Sequence, residues 1–135
     1  MARSRVKAKG RSEGGGFLRL HHRLIQHPNF YTLSPRAVKL LIDIAGQYRG
    51  LNNGDLSAAY TLMRQRGWTS KDQLSKALAE LLERGFLILT RQGGRTRPSL
   101  YAVTWEPVND CGGKLDVSST NAPPGNWKKD PINPE

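Results

Sequence analysis

The sequence predicts an α+β domain in which three helices form a core and a β-hairpin follows them. Two observations support this prediction. Between residues 35 and 84 apolar side chains recur at helical spacing, and capping residues stand at the ends of the segments. After Gly85 the pattern changes to two β-rich runs around a glycine-containing turn, which is typical of a hairpin.

The composition narrows the class of protein. The 135 residues include 21 Lys and Arg against 11 acidic residues, which gives a formal net charge of +10. Such an excess favours a polyanionic partner, either a nucleic acid or an anionic membrane surface. No apolar run approaches the roughly 20 residues of a membrane span, no signal peptide is recognisable, and Cys111 has no second cysteine to pair with. We expect a cytoplasmic protein that neither spans a membrane nor depends on disulfides.

Charge and proline content divide the chain into three parts. Residues 1–16 form a basic arm that ends in three glycines and carries five cations: Arg3, Arg5, Lys7, Lys9 and Arg11. Residues 17–106 hold the apolar periodicity, with thirteen basic against six acidic residues. Residues 107–135 hold five of the eight prolines and a slight excess of acid. We predict a flexible, disordered basic arm, one folded domain, and an extended or disordered Pro-rich tail whose evident docking side chains are Val117 and Trp127.

The first part of the domain predicts one helix clearly. Residues 17–30 are predicted as a strand or a short helix against the core. This segment ends at His27-Pro28, because the residue before proline avoids the helical region. Ser34 and Pro35 are typical of a helix start, and the apolar spacing extends that helix to about Tyr48.

A short strand and a second helix follow the turn Asn52-Asn53-Gly54. Asp55-Leu56 is predicted as a very short strand. Ser57 can cap a helix over residues 58–66, and Gly67 ends that helix in the left-handed conformation.

The third helix has the clearest signals in the chain. Ser70 and Gln73 match the capping box, and Gly85 ends the helix. Its apolar stripe consists of Leu74, Ala77, Leu78, Leu81 and Leu82. The stripe leaves an outer face made of Lys71, Asp72, Ser75, Lys76, Ala79 and Glu83.

The two β-rich runs are residues 86–90 and 99–105. The segment between them carries Arg91, Arg95 and Arg97 and no acidic residue. It is longer than a tight hairpin needs, so we expect its tip to project from the domain.

In this order the segment Ser57–Trp105 resembles a winged helix-turn-helix domain. The resemblance lies in Ser57-Ala58-Ala59, in Gly67-Trp68-Thr69-Ser70, in the leucines of the third helix and in Gly85-Phe86-Leu87. The pattern ALAELLERGFLILTRQGG…SLYAVTW is similar to the modules of phage and plasmid replication proteins and of bacterial transcriptional regulators. With the first helix the resemblance covers roughly half of the chain. The same fold also serves in RNA binding and in protein–protein contacts.

In DNA-binding members of this family the third helix enters the major groove, and the hairpin, or wing, touches the backbone or the minor groove. By position the resemblance implies DNA contacts from the recognition helix through Thr69, Ser70, Lys71, Ser75 and Lys76. It implies wing contacts from Arg91, Arg95 and Arg97. The five cations of the arm are expected to follow a groove. Asp72 and Glu83 lie on the same helix face, which shifts emphasis from base readout to the wing and the arm.

Three functions stay open at this point. The first is sequence-tolerant or sequence-specific binding of double-stranded DNA by a phage-like or plasmid-like protein, located at the nucleoid and acting in replication initiation or transcriptional regulation. A homodimer is an option here, because paired half-sites give a small module specificity. The second is a protein-interaction adaptor that uses the basic face or the tail, residues 107–135. The third is RNA binding, which shares the charge arguments.

Catalysis has no support in the sequence. There is no nucleophile elbow, no phosphate-binding loop and no zinc-binding helix motif. His21, His22 and His27 lack a companion cluster of Cys or carboxylates, so we interpret them as satisfied surface or core histidines. Trp68 and Trp105 are expected in the core. We therefore expect a protein without enzymatic activity, cofactor or metal.

Overall fold

A computed structural model describes residues 15–130 of the chain. Within this range the protein is of the α+β class, as the sequence predicts. It has five α-helices, two more than the predicted three-helix core, and a three-stranded antiparallel sheet. The helices are α1 (His22–Ile25), α2 (Pro28–Tyr31), α3 (Pro35–Ala45), α4 (Tyr60–Arg64) and α5 (Lys71–Arg84). The strands are β1 (Leu56–Ser57), β2 (Leu87–Arg91) and β3 (Leu100–Val103). No helix in this range is both long enough and apolar enough to cross a membrane.

The sheet has the order β1-β3-β2, so the predicted hairpin forms and its second strand is central. Strand β2 pairs with β3 from Leu87 opposite Val103 to Arg91 opposite Leu100. The register shifts between Leu89 and Arg91, which places one extra residue, Thr90, in a β-bulge. Strand β2 is therefore an edge strand that ends in a bulge.

The capping signals position the two long helices. Ser34 caps α3 by accepting a hydrogen bond from the Ala37 amide, with Pro35 in the first turn. Ser70 caps α5 in the same way, and Gly85 ends α5 with a φ of 85°. The predicted start of α3 and both predicted ends of α5 are confirmed.

Two helices are shorter than the sequence predicts. Helix α3 ends at Ala45 instead of Tyr48, because the Gln47 side chain pairs with both backbone groups of Ser57 and draws the chain toward β1. Helix α4 starts at Tyr60 instead of residue 58, because the Ser57 hydroxyl accepts from the Ala59 amide in a local turn. Gly67 has a φ of 98°, as predicted.

Residues 17–30 form two short helices and no strand. The imidazole of His27 caps the second of them, because its Nδ1 accepts a hydrogen bond from the Asn29 amide at 3.0 Å. Pro28 occupies the first helical position. The open choice between strand and helix is thus resolved in favour of helix.

The core lies between α3, α5 and the hairpin. Trp68 and Trp105 are 6% and 3% exposed, so the predicted core role of both tryptophans is confirmed. The main buried side chains are Leu40, Leu41 and Ile44 of α3, Leu74, Ala77 and Leu81 of α5, and Phe86, Leu87 and Val103 of the hairpin.

The sequence predicts an extended or disordered tail with Val117 and Trp127 as docking side chains, and in the structure residues 107–130 are an irregular segment docked through Trp127. Apart from two 3-10 turns, Cys111–Gly113 and Asn126–Lys128, this segment has no helix or strand, but it packs onto the domain. Val108 and Trp127 are buried. The Gly125 amide donates to the Thr104 carbonyl at 2.8 Å. The tail is held by backbone hydrogen bonds at irregular intervals. Contacts of this kind produce no periodic pattern of apolar residues in the sequence.

Trp127 docks within the molecule, whereas Val117 is 40% exposed. The Trp127 carbonyl accepts from the amide side chain of Asn29 at 3.0 Å, and its ring meets His27 edge-on at 5.5 Å. Asn126 lies directly against Gly85, where a side chain on Gly85 would collide with the Asn126 carbonyl. The tail therefore covers the C-terminal end of α5.

Asn53 joins the tail to the sheet and has no solvent exposure. Its Nδ2 donates to the carbonyls of Val103, Glu106 and Pro107 at 3.0, 3.1 and 2.9 Å. Its Oδ1 accepts from the Val103 amide at 2.9 Å. The residue predicted only as part of a turn is thus a fully bonded buried amide.

We expect Asn53→Ala to lower the free energy of unfolding by about 2–3 kcal/mol, because it leaves buried backbone groups without partners. Urea unfolding followed by tryptophan fluorescence measures this change. The control is Asn121→Ala, at an exposed position, where we expect a change within about 0.5 kcal/mol. Equal effects of the two substitutions would contradict the role of Asn53.

Cys111 is partly buried, with its Sγ 3.7 Å from the Asn53 carbonyl oxygen. Burial, and then the Asp55 carboxylate, raise the pKa of the Cys111 thiol. Because the thiolate is the reactive form, iodoacetamide should alkylate Cys111 with a midpoint at higher pH in the folded chain than in the urea-unfolded chain. Asp55→Asn should lower that midpoint. A folded-state midpoint at or below the unfolded one would refute the expected shift.

Candidate nucleic-acid interface

The outer face of α5 is open to solvent, as its spacing predicts. The opposite face buries Leu74, Ala77 and Leu81 in the core. Helix α5 has 14 residues, so its exposed ridge is about 21 Å long. The exposed side chains on this ridge are Lys71, Asp72, Ser75, Lys76, Ala79 and Glu83.

Asp43 of α3 fixes the turn that precedes α5. Its carboxylate is 7% exposed and accepts from the Trp68 indole at 2.8 Å. It also accepts from Lys39 at 2.6 Å and from Arg66 at 3.4 Å. Lys39 in turn donates to the Arg66 carbonyl at 2.8 Å. The chain between α4 and α5 is therefore locked against α3.

The other end of the α3–α5 contact is fixed by Glu80. Its two carboxylate oxygens accept from the amide and the hydroxyl of Ser34, both at 2.7 Å. Ser34 is the residue that caps α3, so a carboxylate of α5 completes the cap of a neighbouring helix. Asp43 and Glu80 together hold α5 at two points along α3.

The predicted capping box of α5 forms only in part. The Gln73 amide donates to the Ser70 hydroxyl at 3.2 Å. The Gln73 side chain, however, accepts from the guanidinium of Arg36 on α3 and is therefore turned away from the Ser70 amide. A charged donor makes the stronger hydrogen bond, which explains this outcome.

The predicted contact residues of α5 differ in whether their side chains already have a partner within the domain. Lys71 lies over the Tyr60 ring, with its Nζ 5.5 Å from the ring centroid. Lys76 pairs with Asp72 at 3.1 Å, which neutralises one charge of the face. Ser70 is committed as the helix cap. Thr69 and Ser75 are exposed.

The wing, residues 91–98, is closed by its own hydrogen bonds. Arg91 donates across the loop to the Pro98 carbonyl at 3.0 Å, so its guanidinium braces the base of the wing. The Gly94 amide donates to the Arg97 carbonyl at 3.0 Å. Arg95 and Arg97 are exposed, and neither takes part in an ion pair within residues 15–130. The two arginines at the tip are thus the uncommitted cations of the wing.

The wing lies beside the middle of α5. A crevice of about 190 Å³ separates them. Burial raises the pKa of the Tyr101 hydroxyl in this crevice, so this group is neutral at physiological pH. The residues that line the crevice are Ala58, Ala59, Leu78, Pro98, Ser99 and Tyr101. Leu78 on the apolar stripe of α5 and Pro98 at the end of the wing therefore lie on two sides of one crevice.

Asp116 is a residue near this surface that the sequence reasoning missed. Its carboxylate accepts from the Gln92 amide at 2.9 Å, and its own amide donates to the Thr90 carbonyl at 2.7 Å. The surrounding sequence has no periodicity or motif that signals these contacts. The tail thus places a carboxylate at the base of the basic wing.

The remaining predicted residues add little to the surface. His27 is a satisfied histidine, as predicted, while His21 and His22 are exposed. Within residues 15–130 no group of three or more His, Cys, Asp or Glu side chains is placed to hold a metal ion. The five cations predicted for the arm, Arg3, Arg5, Lys7, Lys9 and Arg11, lie outside the described residues.

Comparison with known proteins gives no relative. No family model matches the chain, and no curated protein or solved structure matches it. The charges and the geometry of α5 and the wing are therefore the features that indicate a function.

Removal of the Asp43 carboxylate should destabilise the frame that positions α5. We expect Asp43→Ala to lower the free energy of unfolding by about 2–3 kcal/mol, because the buried Trp68 indole N–H loses its acceptor. Asp43→Asn keeps an acceptor oxygen and should recover part of the loss. Urea unfolding with near-UV circular dichroism measures both.

The matched control for Asp43 is Asp72→Ala, because the Asp72 side chain is 69% exposed. Its loss should cost at most about 1 kcal/mol, since exposed ion pairs contribute little. Equal losses for Asp43→Ala and Asp43→Asn would show that hydrogen-bond acceptance by Asp43 does not stabilise the turn.

Proposed function

We propose that the chain is a winged helix-turn-helix protein that binds double-stranded DNA, with α5 in the major groove and the wing on the backbone or in the minor groove. One observation carries the proposal: a wing with exposed Arg95 and Arg97 follows a helix with an exposed polar ridge, and the two elements meet at a crevice between Leu78 and Pro98. The order of helices and strands and the sheet order β1-β3-β2 support the winged-helix assignment.

Helix α5 is suited to approach bases at its N-terminal half. Lys71 can donate to guanine, and Thr69 and Ser75 can donate to or accept from base edges. Ala79, one turn beyond Ser75, is small enough for close approach of the DNA. The positive end of the helix dipole adds attraction for phosphate at the same place.

The wing supplies two unpaired cations to the affinity in this proposal. Lys76 is paired with Asp72 and contributes little net charge, whereas Arg95 and Arg97 carry theirs unpaired within the described residues. Phosphate neutralisation releases counterions, so binding must weaken with salt. With about five phosphates neutralised, log affinity should fall against log salt with a slope of about −4 to −5.

The biological role proposed is replication initiation or transcriptional regulation in a phage-like or plasmid-like element. The resemblance of Ser57–Trp105 to modules of such proteins supports it. Specific binding by one module of this size favours paired half-sites, so we propose a homodimer on the target DNA.

Replacement of both tip arginines tests the wing. For Arg95→Ala/Arg97→Ala the salt slope should become less negative by about 2, since two phosphate contacts are lost. Fluorescence anisotropy with a random-sequence duplex over a salt series measures the slope. No binding by the wild-type chain at low salt would refute DNA binding itself.

The matched control removes the same charge elsewhere. Arg23 and Lys128 line a groove of about 480 Å³ with Trp127, at the end of the domain where the tail covers the C-terminus of α5. Arg23→Ala/Lys128→Ala should leave the slope unchanged. An equal reduction of the slope in this control and in the wing variant would show that net charge alone drives binding. An unchanged slope in both would show that the wing does not contact DNA.

The tail has less support as a protein-recognition segment, because Trp127 is only 4% exposed. Deletion of residues 107–135 would also remove the buried Val108 and Trp127 from the domain, so it cannot separate a DNA binder from an adaptor. A competition assay addresses the RNA alternative directly. Duplex RNA that displaces the DNA probe as well as duplex DNA does would favour RNA binding.

A further inference from the structure

The bulge at Thr90 redirects strand β2 just before the wing. The Thr90 side chain has no solvent exposure, and its hydroxyl donates to the Gly54 carbonyl at 2.6 Å. The Thr90 carbonyl lies on the outer edge of the strand and accepts from the Asp116 amide at 2.7 Å. A bulge of this kind re-aims the chain that follows it.

Asp116 adds a second bond on the other side of the bulge. Its carboxylate accepts from the Gln92 amide at 2.9 Å, so one residue of the tail grips the backbone immediately before and after Arg91. Gln92 is the first residue after β2, where the wing leaves the sheet. The tail thus contacts the backbone at the point where the wing leaves the sheet.

The tail segment that carries Asp116 is itself anchored to the body. Lys114 pairs with Asp55 at 3.0 Å. The Thr120 amide donates to the Val108 carbonyl at 2.9 Å, and Val108 is buried. The carboxylate therefore approaches the wing from a segment that is fixed on both sides.

We propose that Asp116 is a positioning residue that sets the direction of the wing and so the placement of Arg95 and Arg97 on DNA. This inference rests on the proposed function. Asp116 has two effects of opposite sign on binding. Its negative charge repels phosphate near the wing, while its hydrogen bond to Gln92 holds the wing in the orientation that binds.

Two substitutions separate these effects. Asp116→Asn and Asp116→Ala remove the same charge, but only the asparagine retains a side-chain oxygen that can accept from the Gln92 amide. A difference between the two variants therefore reports positioning, free of the charge term. Asp116 is exposed, so neither substitution opens the core.

Hydrogen exchange followed by NMR tests the brace without DNA. The Gln92 amide should exchange roughly tenfold faster in Asp116→Ala than in the wild type, with Asp116→Asn close to the wild type. The Gly125 amide, bonded to Thr104 away from the wing, reports global opening and should not change. An unchanged rate at Gln92 in Asp116→Ala would overturn the proposal.

Anisotropy binding to a random duplex tests the consequence. Asp116→Asn should bind at least as tightly as the wild type, and Asp116→Ala roughly three- to tenfold more weakly than Asp116→Asn. The control pair is Asp110→Asn and Asp110→Ala, an exposed acid of the same tail, which should bind alike. Equal affinities of the two Asp116 variants would overturn the positioning role.

The two readouts distinguish failure of the inference from failure of the proposed function. A wild-type chain that does not bind duplex DNA refutes the proposed function and with it the role of Asp116 in binding. The exchange rate at Gln92 decides separately whether Asp116 holds the wing.

Discussion

The carboxylate of Asp43 is the constraint on which the candidate surface depends. It is a buried acid that meets an indole, an ammonium and a guanidinium, and each of these partners belongs to α3 or to the chain just before α5. A buried carboxylate without such partners would be costly, and these three donors offset that cost. At the other end of the α3–α5 pair, the Glu80 carboxylate likewise accepts two hydrogen bonds, both from Ser34. These two acids tie α5 and the turn before it to α3, while the burial of Leu74, Ala77 and Leu81 decides which ridge of α5 is exposed.

The second half of the surface depends on a different constraint, the open edge of β2. An exposed strand edge presents unpaired backbone groups, which proteins cover or interrupt. Here a bulge at Thr90 interrupts the edge and the tail covers it through Asp116. Asn53 anchors the start of that tail by bonding the backbone of residues 103–107. The tail is therefore part of the fold, and it orders the wing that the sequence presents as a free loop.

The sequence predicted correctly the features that depend on neighbouring residues, namely the start of α3, both ends of α5 and the buried face of α5. Ser34, Ser70 and Gly85 fix helix ends through bonds within a few residues, and the period of α5 separates its buried and exposed faces correctly. The close packing of the tail on the domain was not predicted, because its contacts join residues far apart in the chain and follow no repeat. Asp116 meets Gln92 across 24 positions, and no pattern of residue types marks that pairing. The candidate residues of α5 and the wing stay predictions about function. Most of them are exposed, but Ser70 and Arg91 are partly buried and bonded within the domain.

The two effects proposed for Asp116, repulsion of phosphate and orientation of the wing, depend differently on salt concentration. Its repulsion of phosphate acts through solvent, and the screening length at physiological ionic strength is about 8 Å. Its hydrogen bond to Gln92 is a short contact between groups on the protein, which salt screens much less. As the ionic strength rises, the unfavourable charge effect of the carboxylate therefore fades, while the fixed direction of the wing persists. In the proposed complex with DNA, Asp116 therefore lowers binding most at low salt, where non-specific attraction is strongest, and keeps its orienting effect on the wing as the salt concentration rises.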